Sequence, residues 1–429
     1  MLGVTAGQHW RRSIDIVGLR ELVANNAILA LQYAVAALVP LLLVPHIVRS
    51  IGVTSYGSIA VAASWAGLAV TVVQYAFQLT GLRSVAQIRP DQSSGHIFAG
   101  VLLAKLMLLG CVVPMLVAIA VYALPSRWIH VQLLVLLGLP LAATLNSGWY
   151  LQARGRFLAI CLISIAGTLT ALTVGFSRVS GSDVASVWAA AAATVAGPMI
   201  AGAATLVSAW RLVGREWSTW RAARPIEALR DGWPLFLSQS IAALYAMCGP
   251  IVISWLSGVA DAGTYSVIER FINAVIGACL LTHTAAYPRL ASLYIEDRLA
   301  YRRLLKWVAA LYLSLAVSIA TAAWLSRDLV ISFLFGRSPT HVTPLLAASL
   351  IWLLLGFFGP AVTGYLTVSG RSKEVAKLTL QALCLSLALG LPGALLFGSW
   401  AWMGALAVGQ VPVLLAATRS WREERALGR

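Results

Sequence analysis

The sequence predicts an all-α integral membrane protein of twelve transmembrane helices, arranged as two parallel six-helix bundles. Three observations carry that prediction. The 429 residues are 60% hydrophobic and 11% charged, with a mean hydropathy of +0.84, and a soluble domain of that balance would have to cover its surface with apolar side chains. Apolar stretches of about 20 residues, long enough to cross a bilayer as a helix, recur along the whole chain. Finally, IVRSIGVTSYGSIAV from Ile47 and ISWLSGVADAGTYSV from Ile253 read as copies of each other.

Taken in order, the expected spans of the first half are 27–48, 58–79, 97–123, 129–150, 157–176 and 185–209. Those of the second are 233–256, 262–286, 305–325, 344–367, 376–397 and 399–418. The stretch 326–343 has the character of a partial span or re-entrant turn. The expected organisation is a cytoplasmic segment 1–26, a first bundle 27–209, a basic linker 210–231, a second bundle 232–418 and a tail 419–429. At an offset of 206, Ile47 pairs with Ile253, Gly52 with Gly258, Val53 with Val259, Gly57 with Gly263, Val61 with Val267, Arg83 with Arg289 and Asp91 with Asp297. A nine-residue slip then aligns YLQARGR from Tyr150 with YLTVSGR from Tyr365. Six is an even number of spans, so both halves enter the membrane in the same direction. Such repeats are a common way to build a transporter whose two bundles rock around a shared cavity.

The net charge of +16 is a matter of topology. With the N-terminus placed in the cytoplasm, 24 of the 31 Lys and Arg residues fall on the cytoplasmic side. Five (Arg49, Arg127, Arg178, Arg327, Arg337) fall outside, while Lys105 and Arg270 lie within spans. That is the positive-inside bias. It places both termini in the cytoplasm, implies contact with membrane lipids and gives no nucleic-acid footprint. Trp128, Trp233, Trp255, Trp307, Trp324 and Trp400 sit at span ends, as an aromatic belt requires. The linker from Trp210 to Asp231 reads as an interfacial segment or a docking site for a cytoplasmic partner. Cys111, Cys161, Cys248, Cys279 and Cys384 fall inside spans without ligand spacing, and read as packing residues. No cofactor or metal site is expected, and no signal peptide. Without a P-loop or a long outer loop, ATP hydrolysis and glycan polymerisation are both disfavoured, and the chain is not read as an enzyme.

A charge at bilayer depth costs at least about 2.5–3.5 kcal/mol and so needs a reason. Span eight, YSVIERFINAVIGACLLTHT, carries two such charges, Glu269 and Arg270. Tyr265, Glu269 and Asn273 share a helical face with His283 close to it, while adjacent Glu269 and Arg270 diverge by about 100°. The first copy has Ala63 and Ser64 at these places. On one reading, Arg270 lines a cavity and attracts an anionic substrate while Glu269 binds a coupling ion. On the other, both reach the interface or pair with neighbouring helices. Lys105 is expected to snorkel. Gln74 and Gln78, one turn apart on span two, are candidate cavity groups together with Gln239. Gln32, Asn25, Asn26, Asn146, Gln152, Gln381 and Gln410 read mainly as interhelical amides. His46 reads as a polar group at the membrane edge. Pro40 and Pro45 in span one, and Pro234 and Pro250 in span seven, are candidate hinges or static kinks.

With these residues in hand, PHIVRSIGVTSYGSIAVA resembles the signature of Wzx-type polysaccharide flippases, of the multidrug/oligosaccharidyl-lipid/polysaccharide exporter superfamily. LSGVADAGTYSVIERF, followed by AAYPRLASL, is similar to the same family around span eight. The resemblance covers essentially the whole chain. It implies a V-shaped pair of bundles around a central cationic cavity. It also implies an undecaprenyl-pyrophosphate-linked oligosaccharide as substrate, moved between leaflets of the bacterial inner membrane by proton- or sodium-coupled antiport. Arg270 matches a recurrent family arginine, and a pyrophosphate needs a fixed cation in such a cavity. Expected partners are a polysaccharide polymerase and a chain-length regulator of O-antigen or exopolysaccharide synthesis. Related lipid II flippases carry fourteen spans and a cluster of cavity arginines; this chain has one clear intramembrane arginine. The competing readings are a multidrug-type exporter of the same superfamily, a membrane-bound glycan polymerase or glycosyltransferase, and a scaffold in a glycan assembly complex.

Overall fold

In hydrocarbon every backbone N–H and C=O must find its partner within the chain, and a helix meets that demand within one segment. The computed structural model accordingly contains helices and no strand among its described residues. These are 39–88, 94–122, 124, 128–214, 218–337, 339, 341–357 and 371–426, with scattered positions between 27 and 37 and at 359, 362 and 366. The first described span, Ala34–Ile51, passes through a π-helical turn at Val39–Leu43 before settling into α1 (Val44–Ile51). Next come α2 (Val53–Gln74), α3 (Phe77–Ala86), α4 (Gly95–Tyr122), α5 (Ile129–Leu145), α6 (Gly148–Ala153), α7 (Phe157–Arg178) and α8 (Val184–Val213). A short linker helix, α9 (Ser218–Arg221), leads to α10 (Pro225–Leu256), α11 (Val259–Glu296), α12 (Arg298–Leu325) and α13 (Arg327–Phe335). The chain continues through α14 (Val342–Gly356), α15 (Ser372–Phe397), α16 (Ser399–Gly409) and α17 (Val411–Ala426).

Among the described residues, ten segments are long and apolar enough to cross a membrane. Helices α11 and α14 fall outside that set. Helix α11 runs for 38 residues, about 57 Å at 1.5 Å per residue, and α14 is a shorter apolar helix of 15 residues. The stretch expected to hold a partial span after residue 325 forms the nine-residue α13. Side chains that face outward are apolar in the way lipid requires. On α7, Leu158, Leu162, Leu169 and Phe176 are all exposed, and their spacing puts them on one stripe of the helix. The opposite face meets α8 through small residues. A Cβ on Gly167 would lie 2.7 Å from the Gly197 carbonyl oxygen, and one on Gly197 would lie 2.8 Å from that of Gly167. Close backbone approach of this kind is how helices gain packing energy where lipid competes equally for apolar contact.

Packing falls into two groups. In the first, α2, α4 and α8 gather around α5, with α7 against α8. In the second, α10 packs on α11 and α15, and α14 joins α11, α12 and α16. The groups meet where α2 packs against α10 and α11, where α4 meets α10, and where α1 meets α13.

The internal repeat is visible in backbone geometry. Gly52 precedes α2 at φ 81°, ψ 159°, and Gly258 precedes α11 at φ 96°, ψ 167°, a region essentially restricted to glycine. The second aligned motif also recurs as one turn: Arg156 N–H donates to the Leu151 carbonyl at 2.9 Å, and Arg371 N–H to that of Leu366 at 2.7 Å. Gly258→Ala is therefore expected to cost about 1–3 kcal/mol, read as a lowered thermal midpoint of the purified protein. An unchanged midpoint would show that the turn tolerates a side chain.

Asp297 caps α12, accepting from Leu299 and Ala300 N–H at 2.9 and 3.0 Å. Its repeat partner Asp91 lies outside the described residues, as do Asn25, Asn26 and the segment 1–26. Of the cysteines, Cys161 is buried, Cys248 half-buried, and Cys111 and Cys384 exposed, all as free thiols. The side chains of Cys279 and His283 lie outside the description.

Candidate functional site

The two groups come close where glycines that the repeat pairs with each other face across the junction. A Cβ on Gly57 of α2 would overlap the Val259 carbonyl oxygen on α11. One on Gly263 would overlap the Val53 carbonyl oxygen in return. The two helices thus cross backbone to backbone near their first turns. On the same side, Arg49 at the end of α1 reaches the other group. Its guanidinium donates to the Ser332 carbonyl at 2.8 Å and to that of Phe333, and lies 5.5 Å from the Phe333 ring centre. These carbonyls end α13, where unsatisfied acceptors favour a cation.

Just beyond the glycine crossing, α11 carries Glu269 and Arg270. Glu269 is buried and accepts a hydrogen bond from the Tyr265 hydroxyl at 3.0 Å. Arg270 faces elsewhere. Its guanidinium lies 5.7 Å from the ring centre of Tyr56 on α2. Among the described residues it makes no hydrogen bond and no ion pair, with Glu269 or any other group. It lines a cavity of about 420 Å³ together with Asn273, Ala274 and Gly277 of α11 and Ala37, Val39 and Val44 of the first span. An unpaired guanidinium offers five donors in a fixed fork, so this cavity is chemically suited to an anion.

The polar residues of the cavity are not repeated in the other half. The counterparts of Arg270 and Asn273 are Ser64 and Gly67. Where Asn273 is exposed, Gly67 is packed by Met247 of α10, whose sulfur a Cβ there would meet at 3.0 Å. Farther along the α2–α10 interface, Tyr75 stacks on Phe236 with centroids 4.3 Å apart. One seam is sealed by Met and aromatic side chains, and the other keeps a polar opening.

The remaining sequence-derived candidates are dispersed. Asn273 groups with Arg270 in the cavity, away from buried Tyr265 and Glu269. Gln74, Gln78 and Gln239 are not among the residues lining it. The expectation that Gln74 and Gln78 sit one turn apart on a continuous helix is corrected. Tyr75 and Ala76 between them adopt left-handed conformations, φ 45° and 63°, and break the helix into α2 and α3. The Tyr75 ring, held on Phe236 and packed against Gly232, stabilises a backbone that non-glycine residues otherwise avoid. Pro40 falls in the π turn and Pro45 opens α1. Pro234 and Pro250 lie inside an uninterrupted α10.

Lys105 does not snorkel. It is buried and donates to the carbonyls of Ala143 at 3.1 Å and Asn146 at 2.7 Å, satisfying acceptors at the end of α5. Sequence reasoning missed Arg49, Tyr56 and Tyr245. The last accepts from Gln410 Nε2 at 2.8 Å and donates to the Leu406 carbonyl at 3.3 Å. Tyr56 stood inside the repeated motif, one residue before a paired glycine, which is the signal that could have found it. The linker packs Trp220 5.4 Å from Trp210. It also borders a second cavity of about 610 Å³, where Arg221, Arg224, Glu227 and Asp231 face Thr80 and Ser84. Among the described residues no three His, Cys, Asp or Glu side chains come together as metal ligands would.

Comparison with known proteins agrees with this geometry. Residues 22–294 match the family described as "Polysaccharide biosynthesis protein". A "Putative O-antigen transporter" of Shigella dysenteriae is 22% identical over 91% of this chain and 98% of its own length. Among solved structures, the inward closed conformation of lipid II flippase MurJ aligns with a TM-score of 0.73 at 11% identity, covering 94% of this chain and 87% of that one. An inward-facing multidrug resistance MATE family transporter of the MOP superfamily aligns at 0.64 and 15% identity, covering 91% and 95%. At such identities the structural likeness fixes the fold: this is the fold of MOP-superfamily transporters.

Proposed function

The chain belongs to the polysaccharide biosynthesis protein family, and from that premise we propose that it moves an undecaprenyl-pyrophosphate-linked oligosaccharide across the bacterial inner membrane. It is a multi-pass membrane transporter of polysaccharide biosynthesis, not an enzyme. In the proposal, segments 27–209 and 232–418 are two six-helix bundles, joined by the linker 210–231, with both termini in the cytoplasm. They alternate access around the junction, driven by a proton or sodium gradient. Pro40, Pro45, Pro234 and Pro250 are the candidate hinges, and Pro40 already lies in a π turn, a feature frequent at functional sites. Phosphate oxygens of the headgroup bind Arg270, Asn273 contributes a hydrogen bond to phosphate or sugar, and the polyprenyl tail stays in lipid. Glu269, buried one residue away and held by Tyr265, is the coupling carboxylate.

The observation that supports this reading most is the unpaired guanidinium of Arg270 in a cavity at the junction of the halves. A guanidinium with no hydrogen-bonded partner has donors to offer an anion, and a pyrophosphate accepts them with matching bidentate geometry. The same cation disfavours a cationic drug as cargo. Disrupting the gene is expected to abolish surface glycan while lipid-linked repeat units accumulate on the cytoplasmic leaflet, scored by leaflet-selective labelling. Normal amounts of those units in the outer leaflet would end the proposal. A polysaccharide polymerase and a chain-length regulator are the partners this reading assigns.

A further inference from the structure

We propose that Tyr56 is a positioning residue for Arg270: its ring, carried on the opposite half of the molecule, holds the guanidinium in its anion-binding pose only while α2 and α11 are crossed. The inference rests on the reading of Arg270 as the headgroup cation and adds to it the element that makes binding depend on conformation.

Contacts that build the scaffold occur in both copies of the repeat. Gly52 and Gly258 share one backbone conformation, and Gly57 and Gly263 exchange reciprocal contacts. The contact between Tyr56 and Arg270 does not recur. At the repeat offset Tyr56 corresponds to Ala262 and Arg270 to Ser64, a pair with neither ring nor charge. Like the cavity itself, it belongs to the asymmetric part of the protein. Tyr56 is 2% exposed, and its hydroxyl has no hydrogen-bond partner among the described residues. A phenylalanine would fill the place without leaving a buried hydroxyl unpaired. What the site uses is the ring face, 5.7 Å from the guanidinium carbon, within the range of a cation–π contact. With its guanidinium carbon over that ring, Arg270 also lines the cavity shared with Asn273.

Tyr56 is adjacent to Gly57, so it cannot move independently of the crossing. When the halves part on that side, α2 carries the ring away from α11 and Arg270 loses the surface that orients it. Anion affinity then falls as the seam opens, which is what release of a headgroup on that side requires.

The test uses full-length purified protein in a cysteine-free background, with Val53→Cys and Val259→Cys oxidised to lock the crossing, and inorganic pyrophosphate as the probe. The locked parent is expected to bind pyrophosphate, and locked Tyr56→Phe to match it within about twofold. Locked Tyr56→Leu and Tyr56→Met are expected to bind roughly five- to thirtyfold more weakly, the span of a partly to fully desolvated cation–π contact. Methionine fills most of the volume, so it decides the matter if the leucine variant does not fold. Leucine and methionine variants that bind like the parent, while Arg270→Ala has lost binding, would overturn the role of Tyr56 and leave the Arg270 site standing. An Arg270→Ala variant that binds like the parent, or a parent that binds no pyrophosphate, would overturn the underlying reading and this inference with it.

Discussion

Arg270→Ala is expected to abolish surface glycan at normal protein level, with Arg270→Lys retaining a fraction of it. The guanidinium has no hydrogen-bonded partner among the described residues, so its removal takes little from the fold. The loss falls on the ligand. Charge-assisted hydrogen bonds contribute about 1.5–3 kcal/mol each, so losing the cation weakens headgroup capture by one to two orders of magnitude per bond. Lysine restores a point charge but not the planar fork. Glycan quantified in cells matched for expression checks the series, and full glycan from the alanine variant would reassign Arg270 to a structural role. Thermal midpoints of all three proteins should agree within a few degrees. That separates loss of binding from loss of folding.

The second large effect is expected at the glycine crossing. In Gly57→Ala the new methyl would overlap the Val259 carbonyl oxygen, and in Gly263→Ala it would overlap that of Val53. Both obstacles are helix backbone, so neither can swing aside as a side chain would. The helices must separate, at the cost of about 1–3 kcal/mol typical of overpacking. That cost falls on the crossed state alone. A shift of this size moves a two-state equilibrium roughly five- to a hundredfold away from it. Glycan export should fall accordingly, while a thiol introduced at Val53 becomes more reactive to water-soluble thiol reagents. The double variant should cost less than the sum of the singles, because the first methyl already creates the gap that the second occupies. Gly110→Ala, where nothing lies within 4 Å of a Cβ, is the control expected to behave as the parent. Additive effects of the two crossing variants would show that they act at separate places.

Much of the scaffold was legible in the sequence, for a physical reason. Apolar length reports on the bilayer, a solvent whose demands are the same at every position along the chain. The paired glycines were legible too: Gly52 with Gly258 needs only a backbone conformation, and Gly57 with Gly263 only the absence of a side chain. The site was half legible. The cost of a charge at bilayer depth identified Glu269 and Arg270, but helical spacing could not say which of them faces the cavity. It also grouped Asn273 with the wrong neighbour. Gln74 and Gln78 were misjudged because the break at Tyr75 and Ala76 is held from outside, by Phe236 and Gly232 on another helix. Lys105 was misjudged because its acceptors lie some forty residues away, at the end of α5.

By itself, then, the sequence determined a helical membrane transporter built from a duplicated half, and the one span where the duplicates differ in charge. Only the tertiary structure decided where that difference is placed. It brought Tyr56 of one copy against Arg270 of the other, and it left Asn273 open where Gly67 is filled by Met247. Local sequence fixes what each residue offers to its own helix. A cavity forms between helices, out of volumes contributed by residues some 200 positions apart, and its shape exists only once they are packed.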